Sequence, residues 1–245
     1  MTTPLLLAVV GASGGLGAST LALAVGRRLA GARPPVVVAD LDLARGGLEV
    51  TAGVEHLPGR RWHDLRQVRG RVPARRLVGS LPGEEGCHVL SALGGARPDV
   101  DGGVVLEVVD SLLEGGASVI ADVPSSSPHL DDVVARAGAV VVLTALRARA
   151  LADAEATVER VVAAAECSGA RPVLHLVTRG ARAGPDVVDD VVTHLGVAHL
   201  HHVRDDPVVA RDGERGLFPG VARDVVRRCA DAVVLAALDP EAVAS

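Results

Sequence analysis

Short runs of Val, Leu and Ile alternate along this chain with longer segments rich in Ala, Leu and Arg. The apolar runs at 5–10, 36–40, 88–92, 118–122, 139–145, 172–177 and 199–203 predict strands. Segments 18–31, 61–69, 103–115, 129–137, 148–167, 186–195, 207–214 and 221–238 predict helices. Most of the strands are continuously apolar, as expected of strands buried on both faces of a parallel sheet. The expected fold class is therefore α/β, a mostly parallel sheet with helices on both faces. There is no internal repeat, and the Pro/Gly-rich pieces PPVVV, SLPGEEG and GGARPDVDGG fit loops between elements. One domain over residues 1–245 is the expected organisation.

Ligands of such sheets bind beyond the carboxyl ends of the strands. There the first strand runs into GASGGLGAST at 11–20, and VVVAD runs into LDLARGGL, which places Asp40 and Asp42. SVIAD places Asp122, and LHLVT leads into Arg179. A glycine-rich strand-to-helix turn aims main-chain N–H groups and a helix N-terminus at an anion. Carboxylates beside such a turn point to a metal ion between carboxylate and phosphate.

Composition narrows the chemistry. Apolar residues make up 49% of the chain, yet Trp62 and Phe218 are the only aromatic rings and tyrosine is absent, so the core is aliphatic. All 25 basic residues are arginine, which leaves no lysine for a Schiff base, a proton relay or a phosphate clamp. The net charge of −5 argues against a general nucleic-acid binder. Cys87, Cys167 and Cys229 are scattered, which suits a reducing cytoplasm and offers no zinc site. LLLAVV is too short for a signal peptide, and no run approaches the roughly 20 apolar residues of a membrane span. A cytoplasmic protein is expected.

The glycine turn resembles two families. GASGGLG is similar to the TGxxxGxG turn of short-chain dehydrogenases, but their catalysis rests on a Tyr-x-x-x-Lys pair, and this chain has neither residue. A catalytically silent NAD-binding Rossmann protein is what survives of that reading. The turn also resembles the xKGGxGK[ST] loop of MinD/ParA-type P-loop ATPases with both lysines gone. VVVADLDLARGGLEVTAGVE at 36–55 resembles that family's DxDxxxGGL stretch, and SVIADVP at 118–124 its Walker B strand. DDPVVARDGERGLFPG at 205–220 resembles the segment around its adenine pocket. GGLGAS at 14–19 is in the style of the CpaE/TadZ branch, which includes actinobacterial septum-site and secretion-neighbourhood relatives. Because Met1 stands just before the first strand, no receiver-like N-terminal domain is expected here.

The resemblance implies a single-domain P-loop NTPase-like fold and assigns residues. Gly14, Gly15, Leu16, Gly17, Ala18, Ser19 and Thr20 would hold phosphates of ATP or ADP, and Thr178 and Arg179 the base. Ser19 and, through water, Asp122 would hold Mg²⁺, while Asp40 and Asp42 are the catalytic candidates for orienting an attacking water. Three positions depart from the pattern. Ala12 replaces a glycine, Ser13 the signature lysine and Ala18 the P-loop lysine. Losing one charge-assisted phosphate contact costs roughly 1.5–3 kcal/mol, and the transition state, where charge builds, loses more. The expectation is weak nucleotide binding with little or no hydrolysis, in a positioning or assembly factor for a pilus, secretion machine or septum. The alternatives are a slow ATPase using an arginine, or the silent NAD binder. The expected assembly is a homodimer joined to protein partners of that machine.

Three further features bear on partners. Residues 60–76 hold seven arginines against Asp64, either a solvated face or a docking site for an acidic partner, anionic lipid or DNA, with Trp62 as aromatic anchor and Glu84 and Glu85 as partial neutralisers. His199 and His201 are expected on one face of a strand, without a third metal ligand. The C-terminal helix ends in the acidic DPEAVAS, so a direct membrane anchor is not expected, and recruitment to a membrane or cell pole would run through partners.

Overall fold

The computed structural model describes residues 3–33, 35–45, 47–92, 100–181 and 184–239. Part of the GGARPDVDGG loop and the end of the acidic tail therefore lie outside the described residues. In chain order the elements are β1 (Leu6–Gly11), α1 (Ala18–Ala30), β2 (Val36–Asp40), α2 (Leu48–Ala52), α3 (Trp62–Leu65) and α4 (Ala74–Val78). These are followed by β3 (Gly83–Glu84), β4 (Cys87–Leu90), α5 (Gly102–Glu114), β5 (Ser118–Pro124), α6 (Leu130–Val134) and β6 (Ala139–Ala145). The chain ends with α7 (Ala148–Ser168), β7 (Val173–Gly180), α8 (Pro185–Leu195), β8 (Ala198–Arg204), α9 (Pro207–Glu214) and α10 (Val225–Leu238).

The strands form one eight-stranded sheet in the order β3-β4-β2-β5-β1-β6-β7-β8. Every pairing is parallel except β3 with β4. One apolar cluster joins the strands to α5, α6, α7 and α8, and a second joins the opposite face to α1, α2 and α10. The expected α/β class, with a parallel sheet covered on both faces, is what the chain forms. The helix after β1 lies on one face and the helices after β5 and β6 on the other, so the turn after β1 opens at a topological switch point.

Several expected elements are corrected. The 61–69 helix shrinks to α3, whose start is fixed by Trp62 in the core and by the N–H of Arg61 donating to Asp64 Oδ2 at 2.9 Å. Gly70, at φ 71°, then turns the chain. The 129–137 helix is only α6, while α2, α4 and the two-residue β3 were not expected. β7 extends through Gly180, so Thr178 and Arg179 sit on the strand and not beyond it. Among the described residues no helix is long and apolar enough to cross a membrane.

Helix α1 lies unusually close to the sheet, and Gly26 is the reason. A Cβ built there would fall 2.3 Å from Val38 Cγ2 and 3.3 Å from Cys87 Sγ. On an open helix face a Gly-to-Ala change stabilises by roughly 1 kcal/mol through propensity; here overpacking reverses the sign. Gly26→Ala is expected to destabilise by about 1–3 kcal/mol, and Val38→Ala in the same chain to recover part of that loss. A denaturant double-mutant cycle measures it, and simple additivity of the two changes would contradict it.

Candidate functional site

The glycine turn is held by main-chain and side-chain bonds from neighbouring strands. The N–H of Ala12 donates to the Leu143 carbonyl at 3.0 Å, and Ser125 Oγ donates to the Ala12 carbonyl at 3.1 Å. Arg160 of α7 in turn donates to the Ser125 and Ser127 carbonyls. Gly15 and Gly17 adopt φ 77° and 88°, where a side chain is strained, and Gly17 is the N-cap of α1. No acidic residue occupies the first turn of α1 itself. Gly14 and Gly15 form the exposed crown of the turn, whereas Leu16, Gly17 and Thr20 line a cavity. Ala18 opens the helix, and a Cβ built on Gly11 would lie 3.1 Å from its Cβ.

Three carboxylates gather at the adjacent carboxyl ends of β2 and β5, where Asp40 and Asp122 are register partners. Asp40 is 2% exposed and Asp122 5%. Burial, with Asp122 as a like charge beside it, pushes Asp40 up to about 7. Accepted bonds from the main-chain N–H groups of Asp42 and Leu48 and from Ser91 Oγ work in the opposite direction. Burial likewise raises Asp122 to about 6; the Ser19 hydroxyl donates to it and lowers it in part, and Asp42 adds repulsion. The sequence-assigned Ser19, Asp122, Asp40 and Asp42 are thus brought together. Ser91 was missed, since a lone serine at a strand end carries no local signal.

The cavity beside the turn has a volume of about 260 Å³. Its apolar wall includes Leu21, Leu143, Val203, Val209 and Val226, and Arg179, Arg204 and Asp206 supply polar groups. Arg179 Nη1 donates to the Leu16 carbonyl at 2.8 Å, and its Nε donates to Asp205 Oδ1 at 3.0 Å. Asp205 lay within the quoted 205–220 motif, but nothing local marked it as a partner of the turn.

Thr178 corrects the expectation for the base. It is fully buried, and its hydroxyl bonds His199 Nε2 and His202 Nδ1, each at 2.9 Å, on the face opposite the cavity. Its hydroxyl is committed to the histidines and does not line the pocket. A register shift at Leu176/Val177 also breaks the strand alternation, so His199 shares a face with His202 and not with His201. Among the described residues no three His, Cys, Asp or Glu side chains form a metal cluster. Cys87 and Cys229 are buried thiols pushed up to about 12, unsuited to nucleophilic chemistry.

The arginine-rich segment is also revised. Arg61 is buried and pairs with Glu49 at 2.6 Å while donating to the Gly59 and Leu57 carbonyls. Trp62 is fully buried, its indole N–H donating to the Asp40 carbonyl at 2.7 Å, so it is a core residue and not a surface anchor. Arg71 pairs with Glu114, and Glu85 pairs with Arg27 rather than with this segment. Arg60, Arg66, Arg69, Arg75 and Arg76 remain exposed.

No family model matches the sequence. An uncharacterized protein of Mycobacterium tuberculosis, found in each of two strains, is 34% identical over 212 residues, 86% of this chain. The chain spans only 57% of the length of those relatives. MinD in the MinC:MinD cell division complex of Aquifex aeolicus is similar in structure at TM-score 0.71 and 18% identity, over 93% of both chains. A ParA family ATPase from Chlorobium tepidum TLS gives 0.75 at 14%, over 96% of this chain and 98% of its own. MinD of Pyrococcus horikoshii OT3, complexed with Mg-ADP, gives 0.68 at 17%, over 99% and 98%. The chain therefore has the fold of MinD/ParA ATPases.

The buried Asp40 makes stability depend on pH. Its folded pKa, about 7, lies above the unfolded 3.8, so its contribution is full below 3.8 and is lost as pH rises through 7. An amide at this position can accept from the Asp42 N–H and donate to Ser91 Oγ, whose hydroxyl already reaches the Ala92 carbonyl at 3.1 Å. Asp40→Asn is expected to match the wild type at pH 4 and to melt several degrees higher at pH 8, about 1 kcal/mol being roughly 2–4 °C at this size. Parallel melting curves across that range would contradict the assignment.

Proposed function

We propose that this chain is a MinD/ParA-type positioning protein, one that holds an adenine nucleotide weakly and hydrolyses it slowly or not at all. One observation carries this reading: at the switch point of a MinD/ParA fold, the glycine turn, the Ser19–Asp122 pair and an apolar cavity adjoin, while no lysine exists anywhere in the chain. The residues suit the ligand in part. Main-chain amides of the turn and the start of α1 would hold phosphates, and the apolar cavity would take the base. Mg²⁺ would be held by Ser19 and, through water, by Asp122, with phosphate and water completing its shell. Bound there, the ion would offset the phosphate charge facing the carboxylates. Asp42, half-buried beside them, would orient a water.

With Ser13 and Ala18 in place of lysines, the loop itself supplies no side-chain cation to a transferring phosphoryl group, so the nucleotide is read as a structural ligand. The GGLGAS wording of the loop supports the CpaE/TadZ branch, and with it the placement of a pilus, secretion machine or septum by a homodimeric scaffold. A cytoplasmic chain recruited to a membrane or pole by partners fits that role. The exposed arginines of the 60–76 segment are the surface proposed for an acidic partner.

Calorimetry of the purified chain with ATP, ADP and NAD, each with Mg²⁺, tests this directly. ATP and ADP are expected to bind, with phosphate release at the level of a blank. Binding of NAD alone would install the dinucleotide reading instead, and binding of none would leave a scaffold without ligand. Magnesium-dependent turnover that disappears in Asp42→Ala would make the protein an ATPase. Separately, glutamine at Arg69, Arg71, Arg75 and Arg76 is expected to disperse the protein in cells; unchanged localisation would remove the arginine surface from the reading.

A further inference from the structure

A nucleotide at this site would bring its negative charge toward Asp40, Asp42 and Asp122, and the turn that faces it has lost both lysines. A cation nevertheless lies against the turn, delivered from the other half of the sheet. Arg179 sits on β7 between β6 and β8, where it pairs in register with Ala145 and Val203. Its Nη1 caps the Leu16 carbonyl at 2.8 Å and passes so near the main chain that a Cβ on Gly17 would lie 2.9 Å from it. Gly17 is required by its φ of 88°, and the end of the arginine packs on it. The same guanidinium lines the cavity together with Leu16, Gly17 and Thr20, the last being in the first turn of α1.

The present partner of Arg179 is weakly held. Its Nε donates to Asp205 Oδ1 at 3.0 Å, but the Asp205 side chain is 55% exposed, and a solvated ion pair of this kind contributes little. A phosphate offers a guanidinium more than one acceptor oxygen in a matching plane, next to apolar walls that reduce screening. Giving up Asp205 would free the Nε edge while leaving the Nη1 bond to the turn intact. Arg204 also lines the cavity, but among the described residues no hydrogen bond joins it to the turn.

We propose that Arg179 is the anion-contacting residue of this site, exchanging the Asp205 carboxylate for a phosphate of the bound nucleotide. From β7 it supplies the positive charge missing at Ser13 and Ala18. This rests on the nucleotide-binding reading of the same cavity. It also assigns Asp205 a role as an internal competitor that the ligand displaces.

The experiment is titration calorimetry of the full chain with ADP and with adenosine, in Mg²⁺, for the wild type, Arg179→Gln, Arg179→Lys and Asp205→Asn. Arg179→Gln is expected to weaken ADP by about ten- to a hundredfold while leaving adenosine unchanged. The lysine variant is expected to recover part of the loss, because it keeps the charge without the planar fork. Asp205→Asn is expected to tighten ADP by roughly two- to fivefold. Thermal melts establish that each variant is folded, and Asp205→Asn decides the matter even if the glutamine variant is not. Equal losses of ADP and adenosine in Arg179→Gln would make the arginine a wall of the cavity only and overturn the proposal, as would weaker ADP binding in Asp205→Asn. A wild type that binds ADP with an Arg179→Gln variant that binds it equally well overturns this inference alone. A wild type that binds neither ADP nor adenosine overturns the nucleotide reading and this inference with it.

Discussion

A parallel sheet buried on both faces leaves its polar chemistry one exit, the carboxyl ends of the strands. In β1, β5 and β6 nearly every side chain is enclosed, so the central strands can carry only apolar residues along their length. Everything distinctive about this molecule follows from that constraint. The glycine turn, Asp40 and Asp122 all stand at this end, brought into register by the β2–β5 and β1–β5 ladders. Because α1 leaves β1 on the face opposite α6 and α7, the sheet parts there, and the turn meets a cavity rather than a packed helix.

Electrostatically the site is inverted relative to what its backbone would favour. Main-chain amides and the α1 dipole attract anions, yet the nearest side chains are carboxylates, and burial, with like-charge repulsion added, holds Asp40 and Asp122 well above their ordinary range. The Ser19 hydroxyl and the Ser91 hydroxyl each donate to one of them, and these bonds stabilise the ionised forms only in part. Such a site is better matched to an anion that arrives with its own cation than to a bare phosphate. The positive side chain at the turn, Arg179, approaches over the carbonyl of Leu16 and not from the loop sequence itself.

The segment 55–65 shows how a cluster of charges on paper becomes architecture in space. Arg61 is enclosed with Glu49 and donates to the carbonyls of Gly59 and Leu57, so its charge serves to tie the chain after α2 to α3. Removing one member of such a buried pair strands the other and is far more damaging than losing an exposed pair. Trp62, adjacent, spends its indole N–H on the Asp40 carbonyl and thereby supports the strand end that carries the site. What reads as a basic docking face is in part the scaffold beneath the carboxylates, with the exposed arginines beyond it.

The residue pattern alone determined the class of fold, most of the strands and long helices, and the location of the polar site at the strand ends. Those features are local: runs of Val and Leu, a glycine turn between strand and helix, and an aspartate closing an apolar run are legible without knowing neighbours. Short elements such as α2, α4 and β3 were not legible, because few residues give too weak a periodicity. The tertiary structure decided which residues meet. It placed Thr178 on the face away from the cavity, where a register shift in the neighbouring strand brings His202 to it, buried Trp62 and Arg61, and set Arg179 on the Leu16 carbonyl across 163 residues of chain. Strand order and side-chain direction across the sheet govern such meetings, and neither is written in any local stretch of sequence.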